Sequence, residues 1–166
     1  MATFNIDGKL GVNLTETTAT TADARFVIGE TVMADDASKF VYVRAASTIA
    51  QYDVCSLLTD NTAAPLTLAN ASANGGAVAF AQTAIASGSF GWVAMCGNKL
   101  LINCAANCGD SVPLFATSTG GSVDDATGTS GVGFLAGVMT LTTISNATAV
   151  TAICQNAHIS WYGNVA

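Results

Sequence analysis

Three features of this 166-residue chain predict an all-β protein: a compact antiparallel β-barrel or sandwich-like domain with an extended N-terminal arm. Short runs rich in Val, Ile, Phe, Tyr and Trp recur about every 8–15 residues, near the strand spacing of such folds. Gly, Ser, Asn and Asp separate nearly all of these runs, which suits tight turns. No segment carries the apolar stripe of a long amphipathic helix, and stretches such as 63–73 are interrupted by Pro65 and Asn70. The length fits one domain with a real core.

Residues 1–25 read as the arm. Asn5-Ile-Asp-Gly-Lys-Leu10 sets an Asp-Gly pair between short apolar flanks, a compact hairpin signal. The Thr/Ala run that follows, 14–24, has little to bury and reads as a linker. Residues 26–166 form the β domain. A strand over 26–33 is followed by the turn formers Asp35-Asp36-Ala-Ser38 and by Lys39-Phe-Val-Tyr-Val-Arg44, whose alternation and β-branched content suit a strand. Further strands are expected over 54–58, 77–85, 90–96, 99–104, 112–117, 133–141, 150–154 and 159–165.

The segment 77–104 reads as a three-strand meander. Within it, Gly97-Asn98 suits a two-residue II′ turn between 90–96 and 99–104, with Gly at the positive-φ position. Period two puts Phe90, Trp92, Ala94 and Cys96 on one face and Val93 and Met95 on the other. Both faces are apolar, so this strand is expected to be covered on two sides. Asp53 in Gln51-Tyr-Asp-Val-Cys and Asp110 in Cys108-Gly-Asp-Ser-Val are each expected to cap the turn that leads into a strand by accepting nearby backbone N–H groups.

Composition narrows the function. Ala, Thr, Gly and Ser fill 79 positions, charged residues make up 10% of the chain, and the net charge is −6. Mean hydropathy is +0.48. Five cations leave no basic patch to neutralise phosphates, so nucleic acid is not an expected partner. Every long uncharged stretch is broken by polar residues, so no membrane-spanning helix is expected. The N-terminus lacks the basic and apolar regions of a secretory signal. Charge is also uneven: residues 61–166 hold only Lys99, Asp110, Asp124 and Asp125.

Catalytic and metal chemistry find little in the sequence. The single histidine, His158, has no nucleophile in a strained-elbow motif beside it and reads as a strand residue near Trp161 and Tyr162. Asp35-Asp36 and Asp124-Asp125 lie among turn formers and read as solvated turns. Cys55, Cys96, Cys104, Cys108 and Cys154 read as reduced, buried thiols, with a Cys104–Cys108 disulfide left open. Cys104-Ala-Ala-Asn-Cys108 lacks zinc-knuckle spacing, so no metal site and no cofactor are expected. No glycine motif of a nucleotide site occurs. Trp92, Trp161, Tyr162 and Phe134 read as core residues. If exposed, such rings would serve the alternative reading, an adhesion or carbohydrate-binding β module. The Thr runs share no period, which argues against an ice-binding face.

An ordered series of short modules carries a family likeness. Phe26-Val-Ile-Gly-Glu-Thr-Val, Phe40-Val-Tyr-Val-Arg-Ala, Ile49-Ala-Gln-Tyr-Asp-Val-Cys, Ala79-Phe-Ala-Gln-Thr-Ala, Gly88-Ser-Phe-Gly-Trp-Val and Cys108-Gly-Asp-Ser-Val-Pro-Leu resemble those of tailed-phage capsid decoration, or cement, proteins. The resemblance implies a non-enzymatic virion protein, commonly a homotrimer, that sits on the outer capsid and stabilises the lattice of the major capsid protein. It also implies an N-terminal arm spread on the shell, with Phe4, Ile6, Leu10, Val12 and Leu14 as its apolar contacts.

Overall fold

A computed structural model of the chain describes residues 13–19, 24–74, 76–126 and 133–160. In chain order its elements are β1 (Thr31–Met33), β2 (Lys39–Ala45), β3 (Val54–Leu57), β4 (Thr62–Pro65), α1 (Leu68–Asn74), β5 (Val78–Phe80), β6 (Phe90–Cys104), β7 (Leu114–Ala116), β8 (Val123–Asp124), β9 (Phe134–Thr140) and β10 (Thr148–Ser160). The expected all-β class is what the chain adopts. Most strand pairs are antiparallel, and two, β2 with β4 and β6 with β8, run parallel.

The pairings close two five-strand rings that share β6. The first runs β2-β4-β3-β5-β6 and back to β2, and the second runs β6-β10-β9-β7-β8 and back to β6. The N-terminal half of β6 pairs with β2 from Phe90 to Cys96, and its C-terminal half pairs with β10 from Gly97 to Cys104.

Small side chains fill the first ring. Val41, Val43, Ala45, Cys55, Ala63, Ala79 and Val93 lie on one face of their strands and form one buried cluster with Ile49, Ala81 and Ile85. A five-strand ring is narrow, and larger side chains at these positions would overpack it. Much of the Ala and Val content is therefore used inside the molecule.

The opposite face of the first ring carries the large residues Phe40, Tyr42, Phe80 and Trp92. These join Leu100, Ile102, Leu114, Leu135, Val150 and Ile159 of the second ring in a single continuous core. Phe26 docks edge-on against both Tyr42 and Trp92, with ring centroids 5.5 and 5.0 Å away. The expectation of a strand at 90–96 covered on both faces therefore holds, with Trp92 in one core and Val93 in the other.

Several expected elements are corrected. No II′ turn forms at Gly97-Asn98; β6 passes through it unbroken, and Gly97 is not among the positive-φ glycines. Glycine is needed there for closeness instead, because a Cβ would run into Ser38 Oγ and lie 3.0 Å from Leu100 Cγ. The meander over 77–104 is thus a short strand paired with one long one.

The strand expected at 150–154 and the described start, 159–160, of the one expected at 159–165 belong to one element, β10, which is bulged between Cys154 and His158; residues 161–165 lie outside the described residues. β1 begins five residues later than expected because Gly29, at φ 87°, turns the chain just before it. β4 and β8 were not expected. A short helix forms where none was expected: Thr67 Oγ1 accepts from Asn70 N at 3.2 Å, while Asn70 Oδ1 accepts from Thr67 N at 2.7 Å. This reciprocal cap starts α1 after Pro65, which therefore precedes the helix and does not break it.

Candidate functional site

Of the five apolar residues assigned to shell contact, Phe4, Ile6, Leu10 and Val12 lie outside the described residues. Leu14 is described, and it is 4% exposed in the main core. Its side chain anchors the segment and offers a partner almost no surface. Four residues on, Thr18 forms an antiparallel bridge to the first residue of β6, with Thr18 N donating to Phe90 O at 2.9 Å and Phe90 N to Thr18 O at 2.8 Å. The Thr18 hydroxyl also lies 3.0 Å from Tyr42 OH. Segment 13–19 of the Thr-rich linker is thus fastened to the body.

The second ring presents a sheet face lined by uncharged residues. On the side of β6, β10 and β9 that faces away from the core, Leu101 is opposite Thr151, Asn103 opposite Ala149, and Ile153 opposite Met139. Leu141 continues this face, its amide bonded to the Thr151 carbonyl at 3.0 Å. Met139 and Leu141 are 39% and 43% exposed, and Leu101, Thr151 and Ile153 are half-buried. None of these positions is charged; exposed Lys99 on β6 and the Asp53 carboxylate at Asn103 border them. The face mixes apolar Leu101, Ile153, Met139 and Leu141 with uncharged polar Asn103 and Thr151.

Three of the sequence modules hold this sheet in place. Asp53 accepts from Ala50 N at 2.7 Å, the turn-capping role expected of it, and from Asn103 Nδ2 at 3.1 Å. Burial pushes its carboxyl above the usual range, opposed by those two donors. Gln82 binds the free edge of β6 through both the amide and the carbonyl of Leu101. Asp110 departs from expectation: it binds Thr143 across the surface, receiving Thr143 Oγ1 at 3.2 Å, and does not cap its own turn.

The five thiols are unpaired, and all but Cys96 are buried. Burial raises the Cys55 thiol strongly and pushes Cys154 up to about 12. Asp124-Asp125 is corrected from a plain solvated turn. Both residues are half-buried, Asp125 Oδ2 accepts from Gly109 N at 2.9 Å, and a ligand atom from each lies within 4.8 Å of the Cys108 sulfur and of the other. These residues are the metal-capable donors that the sequence reading did not connect.

His158 sits exposed on β10, its Nδ1 2.9 Å from Asn156 O. Trp161 and Tyr162 lie outside the described residues. Trp92 is buried, and Phe134 is half-buried against Phe115 at 5.7 Å. The exposed large apolar side chains among the described residues are Val27, Ile28, Met139 and Leu141, none of them aromatic. No described helix is long and apolar enough to cross a membrane. Compared with protein-family models, curated proteins and solved structures, the chain matches none.

Proposed function

We propose that the chain is a non-enzymatic structural protein of a tailed-phage virion, which binds the outer capsid surface and cements the lattice of the major capsid protein. The observation that carries the reading is the uncharged sheet face of Leu101, Thr151, Ile153, Met139 and Leu141. Copies bearing a net charge of −6 repel one another. A face without charge is where they approach at least electrostatic cost, burying apolar area without stripping water from ions. In this proposal the face joins copies into a trimer, and residues 1–12, which precede the Leu14 anchor, reach the shell.

The fastened segment 13–19 supports this division of labour. Tension on an arm attached there would pull on a strand-like bridge at Phe90 and on the Leu14 anchor, both tied to the body. The modules quoted for the family likeness also have structural roles, in the Asp53, Gln82 and Trp92 contacts. The alternative of a sugar-binding module draws less support from the described residues, whose exposed large apolar side chains are aliphatic or thioether, since stacking on a sugar needs an exposed ring.

Co-sedimentation of the purified chain with capsids built from the major capsid protein tests the reading. The full chain is expected to pellet with them, and a chain lacking residues 1–12 to bind at least about tenfold more weakly, a loss of roughly 1.4 kcal/mol. Ile153→Lys combined with Met139→Glu is expected to leave the circular dichroism spectrum intact and abolish the trimer in light scattering. Failure of the full chain to pellet at micromolar concentration would refute shell binding.

A further inference from the structure

We propose that Cys108, Asp124 and Asp125 form a Zn²⁺ site that clamps the closing seam of the second ring. β6 and β8 meet at a single residue pair, Cys104 with Val123, reinforced by Ala105 N donating to Val123 O at 2.8 Å. Among the pairings of that ring, this is the shortest. The parallel pairing brings the end of β6 alongside Asp124, and the loop after Cys104 folds back so that Gly109 N reaches Asp125 Oδ2. Residues 16 positions apart in the chain are thereby gathered at one point.

The donor set fits zinc. A thiolate and two carboxylates around one ion need donor atoms no more than about 4 Å apart at usual Zn–S and Zn–O lengths. One donor atom from each residue already lies within 4.8 Å of the others, so closure to a tetrahedral site requires side-chain rotations that bring the donor atoms together by at most about 1.5 Å. The Cys108 side chain is buried at the site, where its sulfur makes a long 3.7 Å contact with the Gly109 carbonyl and is also bonded by the Asp125 backbone. Behind it, the Cys104 thiol hydrogen-bonds the Cys108 sulfur, the kind of outer contact that orients a metal-bound thiolate.

Charge favours an ion as well. Asp124 and Asp125 stand next to each other, half-buried beside two thiols, and no described Lys, Arg or His forms a salt bridge with either. A divalent cation would neutralise that pair. Sulfur with oxygen donors suits Zn²⁺ better than Ca²⁺ or Mg²⁺, which prefer all-oxygen sites. On binding, Cys108 gives up its thiol proton to solvent as the S–Zn bond forms, and solvent fills the fourth position.

The test uses the full chain in reducing buffer, with Co²⁺ as a spectroscopic probe and Zn²⁺ for calorimetry. One Co²⁺ per chain is expected to give a sulfur-to-cobalt charge-transfer band, which Zn²⁺ displaces. Cys108→Ser is expected to lose the band while folding normally by circular dichroism. Asp124→Asn is expected to weaken Zn²⁺ at least about tenfold, the lower end of what even outer contacts contribute. For the unmodified chain, Zn²⁺ at about 100 times its Kd should raise the thermal midpoint by roughly 5–10 °C, reversed by chelator. Absence of the band, or Zn²⁺ affinity unchanged in Cys108→Ser, overturns the site.

Discussion

The side-chain amide of Gln82 holds Leu101 by both backbone groups: Nε2 donates to the Leu101 carbonyl at 3.0 Å and Oε1 accepts from its amide at 3.2 Å. A single side chain thus stands in for a neighbouring strand where β6 leaves the first ring and enters the second. Gln82→Ala leaves both groups without these partners and is expected to cost about 1–3 kcal/mol in chemical denaturation. Hydrogen exchange at the Leu101 amide should accelerate in step. A loss below about 0.5 kcal/mol would mean that water replaces Gln82 fully.

Asp53 sets a pH dependence. Burial, the largest influence, raises its folded-state pKa above the unfolded value of about 3.9, so the native state holds this proton more tightly. The stability it contributes is therefore complete below the unfolded pKa and declines as pH rises through the folded pKa. Asp53→Asn removes this titration, so its stability relative to the parent should improve as pH increases across that acid window. Urea titrations at a series of pH values measure the difference; a constant difference would refute the assignment.

Gly137 and Gly88 separate two costs that are often merged. Both have φ 78°, but a Cβ at Gly88 meets nothing within 4 Å, whereas at Gly137 it would collide with the Gln155 carbonyl oxygen. Gly88→Ala is expected to cost about 1–2 kcal/mol, from the left-handed backbone alone. Gly137→Ala should cost more, because the bulge in β10 must open to make room. Thermal midpoints of the two variants check the order.

Trp92 Nε1 is buried with no hydrogen-bond partner among the described residues. Trp92→Phe removes an unsatisfied donor while retaining much of the ring packing against Phe26 and Tyr42. The two effects oppose each other. The net change is expected within about 1.5 kcal/mol of zero, against about 3–5 kcal/mol for Trp92→Ala. Denaturation curves for both variants decide it.

The β class and most strands were legible because alternation and turn residues are local signals. Lys39–Ala45 and Phe134–Thr140 came out within a residue or two of expectation. What failed depended on tertiary contact. Gly97 resembles a turn residue in sequence, and only its approach to Ser38 explains it. The two-residue β8 has no strand signal of its own and exists because Cys104 and Phe115 lie beside it.

For the sites, the strands that became β6, β9 and β10 were each visible, but the adjacency of their outward positions was not. Cys108 and Asp125 are joined by a parallel pairing across 16 residues of intervening chain, and no spacing rule anticipates that.

β6 serves both rings with opposite parities: Val93 points into the first, while Leu100, Ile102 and Cys104 face the core of the second. The reading frame of this one strand therefore phases the whole molecule. One residue inserted between Cys96 and Leu100 would leave the first ring intact and turn the apolar set of the second outward. The chain tolerates irregularity there only in the amount it already has, the register shift opposite Ala152 and Cys154. Length variation between related chains, if it follows this architecture, belongs in the loops and never in that shared strand.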